Sequence, residues 1–216
     1  VGSRYEDTGG SGAGAAYVYK RNTTTGVWGD EQKIQASDKE QSDKFGHAVS
    51  INGDYAIVAA NNEDTGGSDA GAVYMYTRNT STGVWGNEQK IQASDKQQGD
   101  QFGYSVSISG NHVIVGSRYE DTGGSQAGAA YIFERSGTTW TEVKKITASD
   151  AQANDYFGFV VSISDGRAIF GAYNEDGGRG AAYIFEGVKP SGTRPTLTYD
   201  NANKLSLTGV TTPSSN

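Results

Sequence analysis

The chain has 216 residues, a formal net charge of −7 and no cysteine. The missing thiols exclude disulfide staples and thiolate metal sites, and the acidic balance argues against nucleic acid, whose phosphate backbone requires clustered Lys and Arg. Glycine fills 31 positions, proline 3 and tyrosine 13, a turn-rich β composition without collagen's strict period; no apolar run reaches the length of a membrane helix, so no membrane insertion is expected.

The chain opens on VGSRYEDTGGS, and the same residues return at Val115–Ser125. VAANNEDTGGS starts at Val58, and a fourth version, FGAYNEDGG, starts at Phe170. The period is 57 residues, shortening to 55 for the last copy, which suits a small antiparallel sheet and is too long for a solenoid coil. Residue 1 falls inside a repeat, so the chain reads as a piece of something longer. Residues 1–44 are expected to form a partial unit, 45–101 and 102–156 whole units, 157–190 another partial unit, and 191–216 a tail.

The unit beginning at Phe102 shows the pattern. YSVSIS alternates Tyr104, Val106 and Ile108 with Ser105, Ser107 and Ser109, the two-residue period of a strand. Gly110 and Asn111 make a tight turn, matched by Asn52 with Gly53 and Asp165 with Gly166, and HVIVGS follows as a second strand. After the loop YEDTGGSQAG comes a third strand, AAYIFER, with counterparts at Ala15, Ala72 and Ala181. A loop rich in Asn, Thr and Gly then leads through Trp140 (Trp28 and Trp85 in earlier copies) into a fourth strand, TEVKKITAS, matched by EQKIQAS at Glu31 and Glu88. Lysines along that strand suit the exposed edge of a sheet, and the serines of the first strand suit a crowded inner position. Together these predict an all-β fold, a β-propeller of four-stranded antiparallel blades. In the tail, TLTY and KLSLTGV read as a hairpin that either completes the last blade or begins a further domain, and TTPSSN reads as linker.

Each unit starts with Phe-Gly (Phe45 and Gly46, Phe102 and Gly103, Phe157 and Gly158), continues as VSI, and reaches VGS or FGA before the acidic loop. These motifs resemble the FG-GAP repeat, the blade unit of the integrin α-chain propeller and of many bacterial surface proteins. The likeness runs from residue 1 to about 190 and is similar to the bacterial form in its Gly-Ala-Ala-Tyr-Ile-Phe strand. It implies an integrin-like propeller in a secreted or bacterial surface protein, used in adhesion. Integrin-type repeats carry a calcium loop, D-x-D-x-D-G-x-x-D, between strands one and two; a tight turn stands there in this chain, so that site is not implied.

Strand alternation puts the connection into each new blade and the loop between strands two and three on one face. The first kind carries Asp38 and Asp43, Asp95 and Asp100, and Asp150 and Asp155; the second carries Glu6 and Asp7, Glu63 and Asp64, Glu120 and Asp121, and Glu175 and Asp176. One chemistry this allows is a hard cation, Ca²⁺ or similar, with Glu63, Asp64, Asp95, Asp100, Glu120, Asp121, Asp150 and Asp155 as candidate ligands. The other is structural, Asx turns and solvated loops, and repetition in every blade favours it. Trp28, Trp85 and Trp140 are placed to pack against neighbouring sheets rather than to stack on sugars. Tyr17, Tyr74, Tyr131 and Tyr183 are expected in the core, while His47 and His112 share no repeat position. Asn22 and Asn79 begin N-glycosylation sequons on the opposite face.

No nucleophile elbow, H-E-x-x-H helix or phosphate-binding glycine loop is present, and every acidic pair has copies, where a catalytic pair should be singular. The expectation is therefore a non-catalytic extracellular binding or adhesion module that recognises a protein or glycan through one propeller face. The alternatives are a structural repeat building a surface filament or layer, and an accessory propeller of a larger secreted enzyme. An open ring would expose blade faces and edges, so self-association or the remaining blades of a longer chain are expected as partners.

Overall fold

Four antiparallel meanders follow one another in a computed structural model that describes residues 1–187 and the strand residues 196–200 and 204–208. The first contains β1 (Gly2–Ser3), β2 (Ala15–Arg21) and β3 (Trp28–Ile34). The second contains β4 (Val49–Asn52), β5 (Tyr55–Ala60), β6 (Ala72–Arg78) and β7 (Trp85–Ile91), and the third β8 (Phe102–Ser109), β9 (His112–Ser117), β10 (Ala129–Ser136) and β11 (Thr139–Ile146). The fourth has β12 (Phe157–Ser164), β13 (Arg167–Ala172) and, after the one-turn α1 (Glu175–Gly178), β14 (Ala181–Glu186). Strand order in every sheet is sequential, and the first strands β4, β8 and β12 pack against one another across blades. The architecture is all-β and made of propeller blades; the described sheets do not close a ring. Beyond them β15 (Thr196–Asp200) and β16 (Lys204–Thr208) pair with each other as the expected hairpin, in a sheet separate from β14. The linker expected at TTPSSN lies outside the described residues.

Local chemistry accounts for the strand ends. Asn52 pairs with Tyr55, so the first hairpin turn is Gly53–Asp54, one residue later than the Asn52–Gly53 read from sequence. Gly53 and Gly110 take φ of +57° at the first central position, as in a type II′ turn, whereas Asp165 and Gly166 are both positive, as in type I′. The Phe-Gly motif has a different cause. Phe45, Phe102 and Phe157 are fully buried, and Gly158, at φ +80°, lies so close to the preceding blade that an added Cβ would stand 2.3 Å from the Ala129 carbonyl oxygen. Gly128, at the end of the glycine-rich loop, bridges Phe157 in return. Backbone crosses backbone at this point, and only glycine fits.

The core lies between blades. Phe45 from the connection into the second blade packs at its ring edge on Tyr74 and Tyr76, and Phe102 does the same with Tyr131 and Phe133. Each such buried side chain contributes roughly 1.5–3 kcal/mol. Outer strands are clamped as well: the Gln32 side chain accepts from Trp85 N at 2.8 Å and donates to Trp85 O at 2.7 Å, and Gln89 does so with Trp140 at 3.1 and 3.0 Å. Trp85 and Trp140 are buried accordingly, but Trp28 is 65% exposed. The packing expected of all three tryptophans fails for Trp28 because the described residues contain no blade before it. Tyr17, in the first blade, is half-buried for the same reason, and Tyr183 is half-buried in a sheet with no fourth strand among the described residues, whereas Tyr74 and Tyr131 are fully buried. At the inner edge Ser50 Oγ accepts from Ile108 N (3.3 Å) and Ser107 Oγ from Ile163 N (3.1 Å), which explains the serines of the first strand.

Candidate binding face

The two loop types do share a face. The connection into each blade runs along the preceding glycine-rich loop, with Ser42 N donating to Ser11 O (3.0 Å), Gln101 N to Asp69 O (3.0 Å) and Asn154 N to Ser125 O (2.8 Å). Beside these ladders the fourth-strand lysines reach the carboxylates. Lys90 Nζ lies 2.6 Å from Asp38 Oδ2 and 2.7 Å from Glu63 Oε1, while the Tyr74 hydroxyl donates to Asp38 Oδ1 at 2.8 Å. One blade on, Lys145 holds Asp95 (2.6 Å) and Glu120 (2.7 Å), and Tyr131 donates to Asp95 (2.8 Å). The end blades have part of the set: Lys33 holds Glu6 at 2.7 Å, and Tyr183 donates to Asp150 at 2.8 Å and to Glu175.

This arrangement sets the electrostatics. Burial alone would raise the Asp38 and Asp95 carboxyls, but the lysine and tyrosine hydrogen bonds outweigh it and hold both below the usual value. Lys90 and Lys145 are raised in turn, their carboxylate partners overcoming desolvation. Asp43 and Asp100 differ: both are buried, and desolvation pushes them up to about 6, against the hydrogen bonds they accept from Glu40 N and Gln97 N. Asp155 is buried and accepts from Gln152 N at 2.6 Å. Asp64 and Asp121 each accept a main-chain N–H of their own loop, from Asp69 at 2.8 Å and Gln126 at 2.7 Å. The candidate cation ligands are thus engaged by lysine, tyrosine and amide donors, and among the described residues no group of three or more His, Cys, Asp or Glu is arranged to hold a metal ion.

A second set of side chains on this face escaped the sequence reading. The residue after each Phe-Gly is His47, Tyr104 or Phe159, and their rings form a row across three blades with centroids 5.0 and 5.1 Å apart. Phe159 stacks on Tyr173 at 4.9 Å, Tyr173 meets Tyr156 at 6.5 Å, and Tyr156 meets Tyr119 at 5.6 Å. Arg118 lies within the row, its guanidinium 3.8 Å from the Tyr104 ring centroid and 4.2 Å from that of Tyr119, with Nε donating to Gln101 Oε1 at 3.1 Å. Tyr173 is 62% exposed and the other rings half-buried. Burial, then the Arg4 and Arg118 charges, hold His47 down to about 4, so it is neutral at pH 7. His112 belongs to no such group; its Nε2 stands 4.0 Å from Glu134. A legible signal was present, since three successive units place a ring at the same offset from Phe-Gly.

Consecutive three- and four-stranded meanders joined by Phe-Gly crossings, with one loop face bearing stapled carboxylates and an aromatic row, define a propeller-type module. The FG-GAP repeat model matches at residues 28–76, 85–133 and 140–185, and the chain belongs to that family. Each match runs from the tryptophan position of one outer strand or its equivalent into the third strand of the next blade, so the family's unit is offset from the blade by one strand. A search of curated proteins found no match.

Proposed function

We propose that the chain is a non-catalytic binding module of a secreted or cell-surface protein, and that it holds a protein or glycan against the aromatic row of the loop face. The row carries this reading. Its rings are partly open to solvent, and the blade cores are filled by other residues, the Phe of Phe-Gly and the third-strand tyrosines. Its members change from His to Tyr to Phe between blades, yet each keeps a planar ring. Tyr and Arg together supply rigid contact area and a planar cation, the chemistry enriched at binding hot spots. The absence of catalysis is supported by the carboxylates: each acidic pair is copied, and Glu63 and Glu120 of the second and third blades are each paired with a lysine.

Protein and glycan arrays probed with the wild-type chain and with a Tyr104→Ala/Phe159→Ala variant test the proposal. Saturable binding that the variant loses supports it. Binding that survives in the variant overturns it. A filament-building role has one observation in its favour, the exposed Trp28, Val49 and Ile51 of the first two blades; sedimentation showing ordered polymers would favour that reading instead.

A further inference from the structure

Just past the outer strand of each of the first two blades, a glutamine amide reaches the loop glutamate of its own blade. Gln35 Nε2 donates to Glu6 Oε2 at 3.1 Å and to the carbonyl oxygens of Thr8 at 2.5 Å and Gly14 at 3.2 Å. Gln92 Nε2 donates to Glu63 Oε2 at 3.0 Å and to the Thr65 carbonyl. In the third blade IQAS becomes ITAS, and Thr147 stands at the glutamine position. Glu120 Oε1 is held by Lys145 at 2.7 Å, by Thr122 N at 3.0 Å and by the Thr122 hydroxyl. Its Oε2, in a residue only 2% exposed, is buried with no hydrogen-bond partner. Thr147 is half-buried and Thr122 exposed, while Glu120 Oε2 itself is closed to solvent, so a ligand reaches it by displacing these rim side chains.

We propose that this vacated glutamine position binds a primary carboxamide, the side chain of a Gln or Asn on a protein ligand. The molecule itself displays the filled state twice, in blades one and two. The carboxamide supplies two N–H donors, one for Glu120 Oε2 and one for the Thr122 carbonyl, the pair that Gln92 satisfies in the second blade. An unmatched buried carboxylate oxygen favours any ligand that brings a donor. An acetamido sugar brings a single N–H. A divalent cation would sit beside the Lys145 ammonium, which already occupies the other oxygen of the same carboxylate, with Asp95, Asp100 and Asp121 as the remaining charges nearby. The inference rests on the protein-ligand form of the proposed function, because Glu120 follows directly on Tyr119 of the aromatic row.

The test titrates the whole chain with N-acetylglutamine N-methylamide and follows the amide resonances of Glu120, Thr122 and Thr147. Saturable shifts are expected there, with none from N-acetylglucosamine or Ca²⁺. Thr147→Gln should abolish them, since the protein's own amide then fills that position; the residue is native in the sister blades, and an unchanged circular dichroism spectrum checks the fold. Gln92→Thr should create a second responsive set at Glu63 and Thr65. No shift up to the solubility limit of the probe overturns the proposal. So do shifts that persist in Thr147→Gln, and so does occupation by the sugar or by Ca²⁺. The Tyr104→Ala/Phe159→Ala variant should keep the probe shifts. Probe shifts lost while row-dependent array binding persists would fail the carboxamide site alone, and the reverse would fail the row alone.

Discussion

Replacing Lys145 by methionine removes one ammonium and keeps most of its apolar stem. Its two partners are unequally exposed: the Asp95 side chain is 43% exposed and that of Glu120 only 3%. The Asp95 contact is screened by water and contributes between 0 and about 1 kcal/mol. Stranding the Glu120 carboxylate is the larger effect, because removing one partner of a buried ion pair costs about 3–5 kcal/mol. Thr122 still donates its N–H and hydroxyl to that carboxylate, which places Lys145→Met near the lower end, about 3 kcal/mol. Urea denaturation followed by tryptophan fluorescence reads this as a lower midpoint at unchanged slope. Glu120→Gln added to Lys145→Met should recover most of the loss, since no buried charge is left unpaired. A cost for Lys145→Met below about 0.5 kcal/mol, or a double variant no more stable than the single one, would refute the stapling argument. Lys33→Met should cost less than Lys145→Met, because Lys33 holds one carboxylate rather than two.

Gly128→Ala forces an L side chain to φ +84° and sets its Cβ 2.2 Å from the Phe157 carbonyl oxygen; it should cost more than the ~1–2 kcal/mol of the backbone conformation alone. Gly137→Ala, at φ +61° with nothing within 4 Å, should cost only that, and equal melting temperatures for the two variants would contradict the crossing argument. Burial holds the Asp100 carboxyl at about 6 in the fold, above its ordinary value of 3.8. Its stabilising contribution is therefore complete below about pH 4 and lost as pH rises through 6, so the stability of Asp100→Asn relative to wild type should climb between pH 4 and 6 and level off above 7; a flat difference would show that burial does not perturb this group. Trp140→Ala should cost about 3–5 kcal/mol, whereas Trp28→Ala should be near neutral and its removal should abolish most of the acrylamide-quenchable emission.

Much of the fold is readable from the chain because a strand's period of two is local. YSVSIS, HVIVGS and AAYIFER became β8, β9 and β10 almost residue for residue, and Gly110–Asn111 turns where its glycine permits. The Asn52–Gly53 reading missed by one because Asn and Gly both favour turns, and only the pairing of Asn52 with Tyr55 decides between them. Long-range partners were less legible. The lysines of the fourth strand suggested a solvated edge, yet Lys90 and Lys145 are drawn back over the loops by carboxylates 25 to 52 residues away. The Glu and Asp candidates were correctly gathered on one face, but their chemistry depended on those lysines, which no single loop contains. The aromatic row was marked in sequence only by a ring at a fixed offset from Phe-Gly, easily passed over because His47, Tyr104 and Phe159 are dissimilar letters. Thr147 was visible as a departure from IQAS, and it gained meaning once Gln35 and Gln92 were seen to reach Glu6 and Glu63.

The claim on which the functional account turns is that ligand meets the aromatic row. Hydrogen exchange of the whole chain, with and without a ligand selected on the arrays, measures this most directly. Slowed exchange at Tyr104, at Arg118–Glu120 and from Tyr156 to Phe159 is the predicted result. Protection confined to the Asn22 and Asn79 loops of the opposite face, or to the edge strand β14, would contradict it.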